Sequence, residues 1–222
     1  MHAPPLIHQC RSIVLLSGIL LLLFTTPWVT EHGILSHTLR TSYILIFCIG
    51  GYLLNPTRAW LKRYLIAGIP LAAIVFLKQI HVIPNNMAVV INLLVLALQL
   101  NIFQAVFTHI LFSRESTPAS KILGGVCGYL LLAVMFANLY SIILIFDHNA
   151  IQLQQTPDMT SSELMYYSLV TITTLGYGDI VSISPHARIL SALEAVSGNL
   201  YLAILISRLA SQYLFRPKPH DH

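Results

Sequence analysis

Apolar runs near or above about 20 residues, the length a helix needs to cross a bilayer, recur along this 222-residue chain. They leave no interval long enough for a separate water-soluble domain. Inside lipid every backbone N–H and C=O must be satisfied within the protein, so runs of this length are read as helices. Composition agrees: 56% of residues are hydrophobic and only 9% charged, with a mean hydropathy of +0.75. All the function must then sit in the membrane part.

The spacing predicts six spanning helices: about Ser12 to Trp28, Leu35 to Leu54, Tyr64 to Ile83, Met87 to Phe112, Lys121 to Phe146 and His186 to Phe215. Between the last two lies a polar stretch, Asp147 to Ser162, followed by an apolar piece from Glu163 to Thr174 that is too short to span. The fold class expected is an all-α membrane protein with six transmembrane helices plus one re-entrant helix. Residues 1–114 form a four-helix front domain and residues 115–222 the remainder. Gly50, Gly51, Gly68 and Pro70 fall inside spans, where close helix packing accounts for them.

The net charge of +4 does not indicate nucleic acid, because the 12 Lys and Arg residues lie in short loops and not on one basic face. They read as topology signals. With the N-terminus inside, Arg11, Arg58, Lys62, Arg63, Arg114, Lys121, Arg208, Arg216 and Lys218 fall on or near the cytoplasmic side; Arg40, Lys78 and Arg188 fall outside. That count argues against removal of the first run as a signal peptide. Glu31, Asp147, Asp158, Glu163 and Asp179 then gather on the outer face, where they would concentrate cations. Cys10, Cys48 and Cys127 are far apart and apolar in setting, so they read as small buried hydrophobes. No cofactor is implied, and no nucleophile, base and orienting group can be assembled from the loops into an enzyme site.

The segment Thr171-Ile172-Thr173-Thr174-Leu175-Gly176-Tyr177-Gly178-Asp179 carries the chemistry. A dehydrated cation needs about eight oxygens, and a chain supplies stacked rings of them only if successive carbonyls turn toward one axis. Gly176 and Gly178 permit the positive φ values that let alternate peptide units turn inward. The string, in its context of short helix, filter and helix, resembles the potassium channel family, whose selectivity filter reads T-x-G-Y-G-D. The resemblance is strong from about Lys121 to Arg216.

That resemblance implies ion binding by the carbonyls of Thr174, Leu175, Gly176 and Tyr177, with the Thr174 hydroxyl beneath them and Gly178 completing the filter. One chain supplies one copy of each ring, so a homotetramer in lipid is implied, with potassium as the permeant ion. The piece from Glu163 to Thr173 becomes the pore helix, its partially negative end aimed at the axis. Tyr166 and Tyr167 stand where the family has an aromatic pair. They are expected to pack around Tyr177 as filter supports with Thr173, and the Tyr166 hydroxyl to reach Asp179. The sixth span matches the inner helix: Gly198 is the hinge position, Asn199, Leu202 and Ile206 face the cavity, and Ser211 and Leu214 lie near the inner mouth. Close packing is the competing account of Gly198. The run from Gly198 to Ile206 also resembles small bacterial channels with four helices ahead of the pore, implying a bacterial inner membrane, with both termini cytoplasmic.

The fourth span has no Arg or Lys between Met87 and Phe112, only His109. Each elementary charge crossing 100 mV is worth about 2.3 kcal/mol, so a span without permanent charges gives the field little to act on and weak or no voltage dependence is expected. Seven residues follow Phe215, so no cytoplasmic nucleotide-binding or calcium-binding domain is expected. The alternatives are a potassium transporter of the type with four degenerate pore repeats in one chain, disfavoured by the single complete Gly176-Tyr177-Gly178, and a silent or regulatory channel subunit.

Glu194 is the one carboxylate well inside a span. Six residues past Arg188, it lies about 9 Å further along the helix, at the level of the filter. The simple two-helix members of the family have an apolar residue there. Ser168 and Thr171 are candidate hydrogen-bond partners. Two roles are open: a proton sensor acting on the filter or on the bend at Gly198, and a protonated packing residue.

Overall fold

The computed structural model describes residues 5–26, 66, 68–75, 77, 87–112, 118–153 and 159–214. The chain is mostly helical: α1 (Pro5–Thr25), α2 (Ala88–Phe112), α3 (Pro118–Phe146), β1 (Ile151–Leu153), α4 (Ser161–Ile172), β2 (Ile180–Ser182) and α5 (Pro185–Leu214). Among the described residues three helices are long and apolar enough to cross a membrane, over Ala88–Thr108, Ala119–Phe146 and Pro185–Ser211. The run expected from Leu35 to Leu54 lies outside the described residues. Of the run expected from Tyr64 to Ile83, the described positions 66, 68–75 and 77 are helical.

Local chemistry sets the helix starts. Helices α1, α3 and α5 each begin with proline, whose fixed φ suits the first turn and whose missing N–H costs nothing there. Ser184 precedes α5, and its hydroxyl accepts from the Ala187 amide at 3.2 Å. The short helix α4 starts at Ser161, two residues before the expected Glu163, because Thr160 and Glu163 form a reciprocal capping box. The Thr160 hydroxyl accepts from the Glu163 amide, and the Glu163 carboxylate accepts from the Thr160 amide at 2.6 Å.

Helix α3 is the spine. One side packs in a cluster of Leu15, Ile19 and Leu22 from α1, Leu71 and Ala72, Leu98, Ile102 and Val106 from α2, and its own Cys127, Leu131, Val134 and Met135. Further along, its Phe136 and Tyr140 join Ala150, Ile151, Leu164, Tyr167, Ile180 and Ala187. Lipid tails are as apolar as leucine, so such clusters gain little from apolar burial itself; tight fit and interhelical hydrogen bonds decide the pairing. Gly125 supplies the fit where Leu205 of α5 crosses α3, and a Cβ there would sit 2.6 Å from a Leu205 methyl. Gly128 similarly leaves room for the Tyr201 ring, whose hydroxyl donates to the Gly125 carbonyl at 2.9 Å. A different face of α5 stays open: Ile189, Leu193, Val196 and Leu200, spaced four, three and four residues apart, are each more than half exposed.

The all-α expectation needs one correction. Strands β1 and β2 pair antiparallel, Ile151 with Ser182, Gln152 with Val181 and Leu153 with Ile180. The Ile183 amide extends the ladder to the Ala150 carbonyl at 2.8 Å. Three-residue strands are too short to leave an alternating pattern in the sequence, which is why the polar stretch after Phe146 reads as loop alone.

Candidate ion-conduction site

The C-terminus of α4 is built to be followed by a non-helical segment. A helix leaves its last four carbonyls without intrahelical partners, and here each is taken. The Leu169 carbonyl accepts from the Thr173 amide at 3.3 Å and from its hydroxyl at 2.7 Å. The Val170 carbonyl accepts from the amides of Leu175 at 3.0 Å and Gly176 at 3.4 Å, and the Thr171 carbonyl from the Thr174 amide at 2.9 Å. The Ile172 carbonyl accepts from the Tyr129 hydroxyl of α3 at 3.0 Å. The amides that follow the helix therefore point back at it, which frees their carbonyls for the opposite side.

The backbone of residues 174–178 alternates in hand. Thr174, Gly176 and Gly178 have φ of 58°, 57° and 81°, while Leu175 and Tyr177 between them stay out of the positive region. Alternation of this kind turns successive peptide units toward one side of the chain. The positive φ at Gly176 and Gly178 was expected from their lack of a Cβ; that at Thr174 was not. A β-branched residue in that region costs about 1–3 kcal/mol and persists only where its surroundings hold it. Two contacts hold Thr174: its amide is bound to Thr171, and its hydroxyl donates to the Thr173 carbonyl at 2.7 Å. In the single chain the side chains of Thr173, Thr174, Leu175 and Tyr177 are exposed, Tyr177 at 68%.

Behind this segment the two tyrosines of α4 part company. The Tyr166 hydroxyl donates to Asp179 at 2.7 Å, and that bond pushes its phenol up to about 12. Asp179 also accepts from the Ile180 amide at 3.0 Å, so its two oxygens tie the end of the alternating segment to both α4 and β2. Tyr167 turns the other way. It is buried, its ring meets Tyr140 edge-on at 5.0 Å, and its hydroxyl lies 2.7 Å from both Ser182 and Ser191. Within one chain it therefore braces α3, β2 and α5, where packing around Tyr177 was expected.

Helix α5 runs unbroken through Gly198. A Cβ at that glycine would lie 2.6 Å from a side-chain carbon of Ile172 and 2.7 Å from the Ile172 carbonyl oxygen. The glycine thus lets α5 touch the end of α4 directly, next to the alternating segment. Asn199, Leu202 and Ile206 are exposed in the single chain, as is Ser211; the side chain of Leu214 lies outside the described residues.

Glu194 is fully buried. Its carboxyl meets Ser168, one of the two expected partners, and the Tyr140 hydroxyl at 2.6 Å. Tyr140 and Tyr129 on α3, with Ser182 and Ser191, are the site residues that sequence reasoning missed. A hint existed in the hydroxyl-bearing residues Tyr129 and Tyr140 within an otherwise apolar span.

Residues 123–214 match the family model described as "Ion channel". A segment of 104 residues is 28% identical to the two pore potassium channel b of Oryza sativa subsp. japonica, covering 47% of this chain and 27% of that protein. The chain thus spans about a quarter of the length of that relative. No solved structure matches. The match covers α4, the alternating segment and α5 together with nearly all of α3, so residues 123–214 are similar to an ion-channel domain, and part of the chain is similar to a potassium channel.

Proposed function

We propose that this protein is a potassium-selective channel subunit, four copies of which enclose one pore in a plasma membrane. The observation that carries this reading is the alternating backbone of residues 174–178, held by α4 with its amides turned back. Four such segments around an axis offer stacked oxygen rings from Thr174, Leu175, Gly176 and Tyr177 to a dehydrated potassium ion. Irregular backbone at membrane depth is tolerated only inside protein or along a water-filled path. The exposure of Tyr177 and of the Ile189–Leu193–Val196–Leu200 stripe in one chain fits burial by neighbouring copies.

In this reading residues 115–222 make the pore and residues 1–114 a front domain with both chain termini on the cytoplasmic side. Asn199, Leu202 and Ile206 line the cavity below the filter. Helix α2 carries no Lys or Arg, so gating depends weakly or not at all on voltage. The test is current through the purified protein in planar bilayers under opposing potassium and sodium gradients. The expected reversal potential lies near that of potassium; one near zero overturns the reading. Correctly assembled protein that passes no current would favour a regulatory subunit instead.

A further inference from the structure

The surroundings of Glu194 come from three helices and permit a proton count. Ser168 of α4 lies 2.7 Å from the Ala133 carbonyl of α3, an acceptor that has no hydrogen to offer. The single hydroxyl hydrogen of Ser168 is therefore committed to Ala133. Yet the same oxygen is also in hydrogen-bond contact with one carboxyl oxygen of Glu194. Two oxygens in that contact share one hydrogen, and serine has none left.

The other hydroxyls can each be given one acceptor, which leaves the contacts of Ser191 with Tyr140 at 3.2 Å and with Ser182 at 2.9 Å as secondary ones. The Tyr140 hydroxyl donates to the second carboxyl oxygen of Glu194 at 2.6 Å. Ser191 donates to the Ala187 carbonyl at 2.8 Å, leaving its oxygen to accept from Tyr167 at 2.7 Å. Ser182 then donates to Tyr167, also at 2.7 Å. The two contacts of Ser168, with the Ala133 carbonyl and with Glu194, each have a donor only if the Glu194 carboxyl supplies the hydrogen to Ser168.

We propose that Glu194 carries its proton in the conducting protein and donates it to Ser168, as a positioning residue that fixes the pore helix α4 between α3 and α5. This rests on reading residues 123–214 as a potassium pore. Its leverage on the filter is short: Ser168 stands two residues before Val170, whose carbonyl holds the amides of Leu175 and Gly176. The groups facing the carboxyl are Tyr140 and, further along α3, Tyr129; Ser168 on α4; Ser191 on α5; and, through Ser191, Tyr167 on α4 and Ser182 on β2. Among the described residues no lysine, arginine or histidine is one of them, so a carboxylate here has no cation to offset its burial. If the proton leaves, Ser168 must turn its hydrogen to the carboxylate. The Ala133 carbonyl then faces a lone pair, and α4 loses this one of its ties to α3.

The test uses the full chain assembled in lipid and its Glu194→Gln variant, which keeps a donor and an acceptor in place but cannot ionise. The infrared spectrum of the parent should contain a protonated-carboxyl band that Glu194→Gln removes. At neutral pH the two should match in potassium current and in selectivity over sodium. As pH is raised into the alkaline range the parent's current should fall by about tenfold, the size expected for one broken buried donor and acceptor pair, while that of Glu194→Gln stays flat. Absence of the band, loss of current in Glu194→Gln at neutral pH, or identical alkaline profiles each overturn the proposal. Should the glutamine variant not assemble, Ser168→Ala removes the carboxyl's acceptor and must shift the band; an unshifted band overturns it. The band reads the proton whether or not the parent conducts, so failure of the channel reading remains separable.

Discussion

Helices α1 and α2 and the assembly of α3 to α5 are both helical, both apolar and both packed on the same spine, yet they are held by different means. In α1 Ser17 donates to the Val14 carbonyl and Thr25 to the Leu21 carbonyl, both bonds within the helix. The seam of α2 with α3 has a small polar cluster, in which Asn138 donates to the Asn92 carbonyl at 3.1 Å and to Gln99 at 3.3 Å. Around α4, by contrast, four hydroxyls join different elements: Tyr129 to the end of α4, Tyr140 to Glu194, Ser168 to α3, Tyr167 to β2 and α5. Apolar fit suffices to stack helices in lipid. Holding a chain that has left the helix requires directional bonds, and those cluster where the backbone is irregular.

Two glycines sharpen the comparison most, because they matter for opposite reasons. At Gly178 nothing lies within 4 Å of an added Cβ, but φ is 81°; at Gly198 the backbone is ordinary helix and the space is filled. Gly178→Ala should abolish potassium-selective current, since a left-handed L-residue costs roughly 1–2 kcal/mol in each chain of the ring. Retained selectivity in reversal-potential measurements would break the claim that the alternating backbone is what selects. A D-alanine at the same position should restore current, since its preferred φ is positive.

Gly198→Ala comes next, with overpacking against Ile172 costing about 1–3 kcal/mol. Thermal dissociation of the assembly should shift down, and Ile172→Ala should recover part of it while leaving the clash with the carbonyl. Tyr129→Phe removes the donor to the Ile172 carbonyl and should cost about 1–3 kcal/mol if that carbonyl is left dry, visible as lower current with an unchanged helical spectrum. Asn138→Leu, on the α2 seam, should have the smallest effect, about 0.6 kcal/mol for an average interhelical bond in lipid. A larger loss of assembly stability for Asn138→Leu than for Tyr129→Phe would reverse the contrast between the two regions.

The sequence made the long helices and the positive φ of Gly176 and Gly178 legible because each leaves a local mark: an uninterrupted apolar run in one case, and glycines at alternate positions in the other. Thr174 leaves no such mark, since a threonine is driven to positive φ only by bonds formed after the chain has folded. Tyr140 and Tyr129 were hidden for a related reason. Their partners, Glu194 and the Ile172 carbonyl, are 54 and 43 residues away, a distance at which periodicity says nothing. Glu194 was conspicuous as a lone carboxylate in a span, and Ser168 was anticipated as its partner, but the Ala133 carbonyl that completes the proton count is backbone and has no signature. The expectation for Tyr167 shows the limit of reading by position. An aromatic pair placed side by side in sequence points to two sides of a helix, about 100° apart.

The ladder of β1 and β2 changes what loosening the filter would require. By pairing Ile151–Leu153 with Ile180–Ser182 it staples the chain before α4 to the chain after the filter. The pairing closes the chain between those staples into one loop. In the proposed pore, opening the ladder releases that loop as a unit. Rearrangement at the outer entrance is thereby made cooperative. The amides of residues 180–183 should exchange with solvent together and at one rate, the rate at which the outer mouth comes undone.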